Sequence, residues 1–143
     1  MPHIKLLVAD ADIITPNVTE AQLLSGTTSS DPNQLLLDLK KFGAKNIVLT
    51  GVVEMDKINN YILNEDGGIH VSSADYINGT IHGAGDMFGS SMIAALIKGK
   101  SLNDAADFAA QITSEASALT IKDKGYEKKG VLFEPLMSKF TKL

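Results

Sequence analysis

The chain has 143 residues, of which 44% are apolar and 21% charged, a composition typical of one globular domain and unlike that of disordered or fibrous chains. Its net charge is -4 and it has no dense basic run, which argues against nucleic acid or an anionic membrane as the main partner. It has no Cys and no Arg, so disulfides, Cys-based zinc sites and thiol nucleophiles are excluded, and phosphate chemistry would rely on backbone amides, metal ions or Lys.

The first predicted elements are short. Residues 2–11 carry apolar side chains in a pattern that fits either a short helix or a strand. The β-branched run at 13–15 predicts a buried strand that ends in a turn. Thr19 is the expected N-cap of a helix that continues to Leu24 and is terminated by Gly26.

A stronger helix signal follows. The segment Asp31-Pro32-Asn33-Gln34 combines an N-cap, a proline at the first helical position and an amide at the capping-box position. An apolar stripe runs to Phe42, and Gly43 stands where a C-terminal glycine belongs. Residues 46–53 then read as a strand whose continuous apolar centre indicates burial on both faces, as in a parallel sheet covered by helices.

The next elements form an edge and a buried helix. Two strands, 58–63 and 69–77, flank residues 64–68, whose Asp-Gly pair predicts a hairpin turn and hence an antiparallel edge. The glycine-rich segment 79–85 leads into a predicted buried helix at 86–97.

The last third of the chain is predicted to be helical. The sequence Ser101-Leu102-Asn103-Asp104 caps a helix over 102–121, whose alanines permit close packing, and 131–143 is weakly helical. No repeat or linker divides the chain, which predicts a single domain over 1–143. No apolar run approaches the roughly 18 to 20 residues of a membrane helix and the first residues do not resemble a signal peptide, so we expect a cytoplasmic protein.

The segment Gly79-Thr80-Ile81-His82-Gly83-Ala84-Gly85-Asp86 carries the sharpest functional signal. Glycines before a helix let the backbone approach a ligand closely, and the free amides at the helix start favour an anion. Asp86 lies in the first helical turn, where it could accept a proton beside a bound phosphate. The alternative is a tight turn with an aspartate at a helix start.

Several motifs together resemble those of the ribokinase-like carbohydrate and vitamin kinases. They are Gly83-Ala84-Gly85-Asp86 with the preceding His82, the Asn-x-x-Glu segment within Ile14-Thr15-Pro16-Asn17-Val18-Thr19-Glu20-Ala21, the strand Ile47-Val48-Leu49-Thr50-Gly51 and the closing Gly130-Val131-Leu132-Phe133-Glu134-Pro135-Leu136. The pyridoxal (pyridoxamine) kinase branch is the most similar. The resemblance implies an α/β, ribokinase-like fold with a mostly parallel sheet flanked by helices and an antiparallel hairpin at the edge.

The resemblance covers only the C-terminal half of a family member. It implies that the chain carries the ATP-side machinery, while most of the acceptor pocket belongs to the other half. We therefore expect a truncated product or a fragment in which Met1 is an internal methionine of a longer ancestor.

The resemblance also assigns roles at the glycine-rich segment. Asp86 would be the catalytic base for the acceptor hydroxyl. The amides of Gly83, Ala84 and Gly85 would form an anion hole for the transferring phosphoryl group. Thr80 would lie at the entrance of this anion hole.

Further roles fall in the first part of the chain. Asn17 and Glu20 would organise magnesium and the ATP phosphates, with Glu20 acting on the metal indirectly. Thr50 and Gly51 would lie near the phosphates. The plain alternatives are a turn residue for Asn17, a first-turn carboxylate for Glu20 and a simple strand end at Thr50-Gly51.

The implied function is ATP-dependent phosphorylation of the 5'-hydroxymethyl group of pyridoxal, pyridoxamine or pyridoxine, with ATP and Mg2+ as cofactors and a homodimer as the expected assembly. Hydroxymethylpyrimidine (phosphate) kinase of thiamine synthesis is the rival activity. Two other classes stay open: a nucleotide-binding remnant without catalysis, and an unrelated α/β binding domain with a coincidental glycine-rich loop.

Overall fold

A computed structural model describes residues 2–79, 81–123, 125 and 130–143 of the chain. The chain divides into two compact units, Met1–Ser72 and Ser73–Leu143. Of the residues singled out in the sequence, Met1 and Thr80 lie outside the described part.

The first unit contains three helices and most of a four-stranded sheet. Its elements are α1 (Pro2–Asp10), β1 (Ile13–Ile14), α2 (Val18–Ser25), α3 (Pro32–Lys40), β2 (Asn46–Glu54), β3 (Lys57–Leu63) and β4 (Ile69–Asp75), in which the two units divide. The strands are ordered β1-β2-β3-β4. The pattern at residues 2–11, which fitted either a helix or a strand, is thus a helix.

The sheet is mixed rather than mostly parallel. β1 pairs parallel with β2 through Ile13 with Asn46 and Ile14 with Ile47, and β2 pairs antiparallel with β3. The α/β class and the antiparallel hairpin are confirmed. The centre of β2 is buried, as the sequence predicts. A strand can be buried in this way beside a parallel or an antiparallel neighbour, so burial alone does not determine the direction of pairing.

The turns of the sheet agree only in part with the sequence. The predicted turn at 64–68 is confirmed, because the Gly67 amide donates to the Asn64 carbonyl and the Asn64 amide to the Gly68 carbonyl, both at 2.9 Å. A second, two-residue turn joins β2 to β3, with Met55 at a φ of 57°. No sequence signal marks this turn, because Met-Asp is not a pair that favours left-handed backbone.

The core of the first unit lies between α3 and the sheet. Leu35, Leu36 and Leu39 are fully buried against Ile47 and Leu49 of β2. The predicted start of α3 is confirmed, because the Asp31 side chain accepts a hydrogen bond from the Asn33 amide at 3.2 Å. This packing fixes the orientation of β2 and of the residues at its carboxyl end.

The second unit is built on two helices and a closing 3-10 helix. α4 spans Ala84–Ile97, α5 spans Leu102–Ile121, and the 3-10 helix spans Glu134–Lys142. Met87, Ile112, Ala116 and Leu136 form a buried cluster, and Phe108 packs edge-to-face on Phe140 at 5.4 Å. No helix in the described part of the chain is long and apolar enough to span a membrane.

An ion pair ties the 3-10 helix to α5. Lys139 Nζ donates to the Glu115 carboxylate. This bond and a second one from Gln111 hold the pKa of Glu115 below its ordinary value of 4.5. A carboxyl group whose pKa is lower in the folded chain adds stability above its unfolded pKa and loses it as the pH falls through the folded pKa.

Replacing Glu115 should therefore have a pH-dependent effect. Glu115→Gln is expected to lower the free energy of unfolding near neutral pH by at most about 1 kcal/mol, because the pair is partly exposed. The difference should shrink as the pH falls below 4.5. Urea unfolding at several pH values measures this, and in a Lys139→Gln background the same substitution should lose most of its effect. A pH-independent difference would contradict the assignment.

Candidate functional site

The turn at Gly83–Asp86, called the glycine turn from here on, presents backbone amides that have no hydrogen-bond partner among the described residues. Gly83 is the N-cap of α4 and has φ 87° and ψ 0°, a left-handed conformation that favours glycine. The Met87 amide donates to the Gly83 carbonyl at 2.9 Å, so the amides before Met87 lie ahead of the helical bonding pattern. A left-handed residue followed by helical ones lines up successive N–H groups into a concave anion site.

No side chain of the described residues competes for these amides. α4 has no capping hydrogen bond from a side chain, whereas α2, α3 and α5 each have one. A methyl group placed on Gly85 would meet no atom of the described residues within 4 Å, so the side of the turn at Gly85 is open. The anion hole at Gly83, Ala84 and Gly85 stays a prediction, which the left-handed turn and the uncapped helix start support.

Asp86 stands at the third position of α4 and is exposed. Its neighbours Met87 and Phe88 are buried, which fixes the helix beneath it. The positive end of the helix dipole stabilises a carboxylate at this position. Asp86 thus shares the first turn of α4 with the free amides.

The start of α2 differs from the sequence prediction. The N-cap is Asn17 and not Thr19, since Asn17 Oδ1 accepts from the Glu20 amide and Glu20 Oε2 from the Asn17 amide, both at 2.9 Å. This reciprocal capping box satisfies two amides at once, which a cap at Thr19 would leave unpaired. The remaining polar atoms, Asn17 Nδ2 and Glu20 Oε1, make no hydrogen bond to the described part of the chain.

Thr50 and Gly51 lie beside this capping box. The Thr50 amide donates to the Pro16 carbonyl at 2.9 Å, and Thr50 forms a parallel bridge with Asn17. The first unit therefore brings Asn17, Glu20, Thr50 and Gly51 together at the carboxyl end of the parallel pair β1 and β2. In open α/β sheets ligands bind at that end of the strands.

A buried amide that the sequence analysis missed shapes this end of β2. Gly51 has φ 74° at a register shift between Leu49 and Val52, and its amide donates to Asn60 Oδ1 at 3.1 Å. Asn60 is only 4% exposed, in a strand where apolar residues are expected. The sequence signal for this buried side chain is the pair Asn59-Asn60 between the apolar residues of the strand.

A groove of about 390 Å³ opens beside Glu20 in the first unit. It is lined by Ile4, Ile14, Thr15, Pro16, Glu20, Leu23 and Leu24. Among these described lining residues, Glu20 alone has a charged side chain. Across the described residues, no three His, Asp or Glu side chains cluster so as to hold a metal ion by themselves.

Each unit thus carries one group of the residues singled out in the sequence. Asn17, Glu20, Thr50 and Gly51 belong to the first, and Gly83, Ala84, Gly85 and Asp86 to the second. Thr80, expected at the entrance of the anion hole, lies outside the described residues.

Comparison with known proteins gives consistent matches. Residues 2–129 match the family model of phosphomethylpyrimidine kinase. The hydroxymethylpyrimidine/phosphomethylpyrimidine kinase of Bacillus subtilis is 32% identical over 122 residues, which are 82% of this chain and 45% of that protein. The crystal structure of pyridoxal kinase from Lactobacillus plantarum superposes with a TM-score of 0.88 at 28% identity, over 99% of this chain and 53% of that one.

A third relative was solved with a nucleotide. The ADP complex of Bacillus subtilis pyridoxal kinase is 28% identical and has a TM-score of 0.63, covering 73% of this chain and 42% of that one. In all three cases the chain spans about half the length of its relative, or less.

Proposed function

The chain belongs to the phosphomethylpyrimidine kinase family, and from this premise we propose that it serves ATP-dependent phosphorylation of a hydroxymethyl group on a small vitamin-type acceptor. The observation that carries the proposal is the glycine turn, with its uncapped amides and Asp86 in the same helical turn. Phosphoryl transfer depends mainly on positioning and electrostatic stabilisation, which backbone amides supply. The lack of Arg is therefore no obstacle.

The proposed roles follow from the chemistry of each group. The amides of the glycine turn bind oxygens of the transferring phosphoryl group and stabilise the charge that develops on them. Asp86 accepts the proton of the acceptor hydroxyl as that oxygen attacks the phosphorus. Both roles use groups in the first turn of one helix, whose orientation is fixed by buried neighbours.

The capping box suits a role toward Mg2+. Glu20 is exposed and its Oε1 makes no hydrogen bond to the described residues, and Mg2+ prefers oxygen ligands while it keeps several waters. Asn17 Oδ1 is committed to the Glu20 amide, which leaves Asn17 Nδ2 as a donor for a phosphate oxygen. One carboxylate is too few for a dedicated site, so Glu20 would act through water on an ion held mainly by ATP. When bound, Mg2+ neutralises charge on the phosphate oxygens.

Two acceptors fit the family. The match of residues 2–129 and the Bacillus subtilis relative favour hydroxymethylpyrimidine or its phosphate. The Lactobacillus plantarum structure favours pyridoxal and its relatives. Because the chain spans only about half of these proteins, a nucleotide-binding remnant without catalysis is the remaining alternative.

The deciding experiment is calorimetric titration of the purified chain with MgATP, followed by a transfer assay on the same sample with pyridoxal and with hydroxymethylpyrimidine. Turnover with one acceptor supports the kinase and identifies its substrate. ATP binding without turnover supports the nucleotide-binding remnant. Absence of ATP binding overturns the proposal, and sedimentation of the sample tests the expected homodimer.

Glu20 offers a prediction that separates capping from metal binding. Glu20→Gln keeps a side-chain oxygen for the Asn17 amide, so the free energy of unfolding should change by less than about 1 kcal/mol. The loss of charge should weaken the Mg2+-dependent part of ATP binding. Asn17→Ala is the contrast, since it removes the cap and should cost about 1 kcal/mol of stability. Urea unfolding and ATP titration with and without Mg2+ measure both, and equal Mg2+ dependence in Glu20→Gln and the parent would contradict the role.

A further inference from the structure

Residues 130–132, called the closing strap from here on, form hydrogen bonds both to α5 and to the segment that leads into the glycine turn. The Val131 amide donates to the His82 carbonyl at 2.9 Å. The next amide, that of Leu132, donates to Thr120 Oγ1 at 2.7 Å. Two successive amides of the strap are therefore bound to two different elements of the second unit.

Thr120 anchors the strap from inside the protein. It is 1% exposed, and its hydroxyl donates to the Ala116 carbonyl at 2.7 Å while accepting from Leu132. A hydroxyl has a single proton, so donation to Ala116 fixes its orientation and leaves a lone pair for the strap. A Ser at this position would keep both bonds.

The strap also packs directly on the glycine turn. Gly130 has φ 79°, and a Cβ at that position would stand 3.4 Å from the His82 carbonyl oxygen. The Val131 Cγ1 atom lies 3.5 Å from the place where Gly83 would carry a Cβ. α4 has no capping side chain, whereas Asn17, Asp31 and Ser101 cap α2, α3 and α5, so the strap is a candidate for the restraint at the start of α4.

We propose that Thr120 is a positioning residue for the glycine turn. Its hydroxyl holds the strap, the strap holds the His82 carbonyl, and this link fixes the left-handed turn at Gly83 from which the free amides project. The inference rests on the proposed function in one respect, namely that the glycine turn binds phosphate. The restraint itself can be measured without any nucleotide.

The test compares three variants in the full chain. Thr120→Val removes the hydroxyl at nearly constant volume, Thr120→Ser keeps it, and Thr113→Val is the matched control. Thr113 lies on the same helix, and its buried hydroxyl has no hydrogen-bond partner among the described residues. Gly130→Ala disturbs the strap at its contact with the His82 carbonyl. It replaces Thr120→Val in the test if that variant folds poorly.

The first readout is amide hydrogen exchange by NMR without nucleotide. Thr120→Val should speed exchange at Leu132, Val131 and Met87 by about tenfold or more, because a buried amide loses its acceptor and the helix start is released. Thr120→Ser should restore most of the protection, and Thr113→Val should leave these three amides unchanged. Unchanged exchange at Val131 and Met87 in Thr120→Val and in Gly130→Ala would overturn the inference.

The second readout is ATP affinity in the same variants. Thr120→Val should weaken it, and Thr120→Ser should restore it. A purely structural residue would lower the free energy of unfolding but leave the affinity of the folded chain unchanged, and that result would overturn the positioning role. If the parent chain binds no ATP, the proposed function fails, while the exchange data still decide whether Thr120 restrains the turn.

Discussion

Asp86→Asn is expected to lower phosphoryl transfer by about 10²- to 10⁴-fold, the usual contribution of a general base. The amide group has the same shape as the carboxylate but cannot accept the proton of the acceptor hydroxyl. ATP affinity should change little, since the amides of the glycine turn and the helix dipole are retained. Initial rates at saturating ATP, together with an ATP titration, measure the two effects separately.

The second unit offers a closely matched control for this substitution. Asp104 occupies the third position of α5, as Asp86 does in α4, and is also exposed. Asp104→Asn should therefore change the helix start in the same way and leave transfer unaffected. Turnover by Asp86→Asn equal to that of Asp104→Asn would exclude Asp86 as the base.

Gly83→Val is expected to destabilise the chain and to abolish tight ATP binding. A φ of 87° costs an ordinary residue about 1–2 kcal/mol and a β-branched one more. The new side chain would also press on Val131, whose Cγ1 is 3.5 Å from the position of the added Cβ. A turn forced out of this conformation no longer lines up its amides, so the loss of affinity should exceed tenfold by the usual conversion of about 1.4 kcal/mol per factor of ten.

Gly85→Ala should separate stability from binding. Gly85 lies in the first turn of α4, and its added methyl group would meet no atom, so the free energy of unfolding should stay equal or rise by up to about 1 kcal/mol. If an anion sits on the amides of this turn, the added methyl group beside them should weaken ATP binding. Gly89→Ala, inside the same helix and also in open space, should stabilise α4 without changing affinity. Equal ATP affinity in Gly85→Ala and Gly89→Ala would argue against the anion site.

Signals confined to a few neighbouring residues predicted the structure well. The cap of α3, the Ser101 cap of α5 and the glycines before α4 each depend on bonds that span two to four residues. The cap of α2 shows the limit of this approach. Asn17 and Thr19 are both good caps, and Glu20 decided between them, because three residues separate it from Asn17.

Features that depend on distant residues could not be predicted in this way. The partner of the Gly51 amide is Asn60, on the other strand of a hairpin whose register the sequence does not specify. The bond from Leu132 to Thr120 joins residues 12 positions apart in the sequence, and no local pattern marks Thr120 among the small residues of α5. The motifs near Asn17 and Asp86 are short runs of neighbouring residues, so they can be recognised by their resemblance to the kinase family.

The capping box at α2 also bears on the entropy of ligand binding. Immobilising a free Glu side chain costs roughly 1.5–2 kcal/mol of rotamer freedom. The bond between Glu20 Oε2 and the Asn17 amide already holds this side chain in the folded protein. The carboxylate is thereby preorganised, and most of its ordering occurs during folding and not when a ligand arrives. Glu20→Asp, whose shorter side chain is poorly placed to span the box, should bind MgATP with a less favourable entropy although the charge is kept.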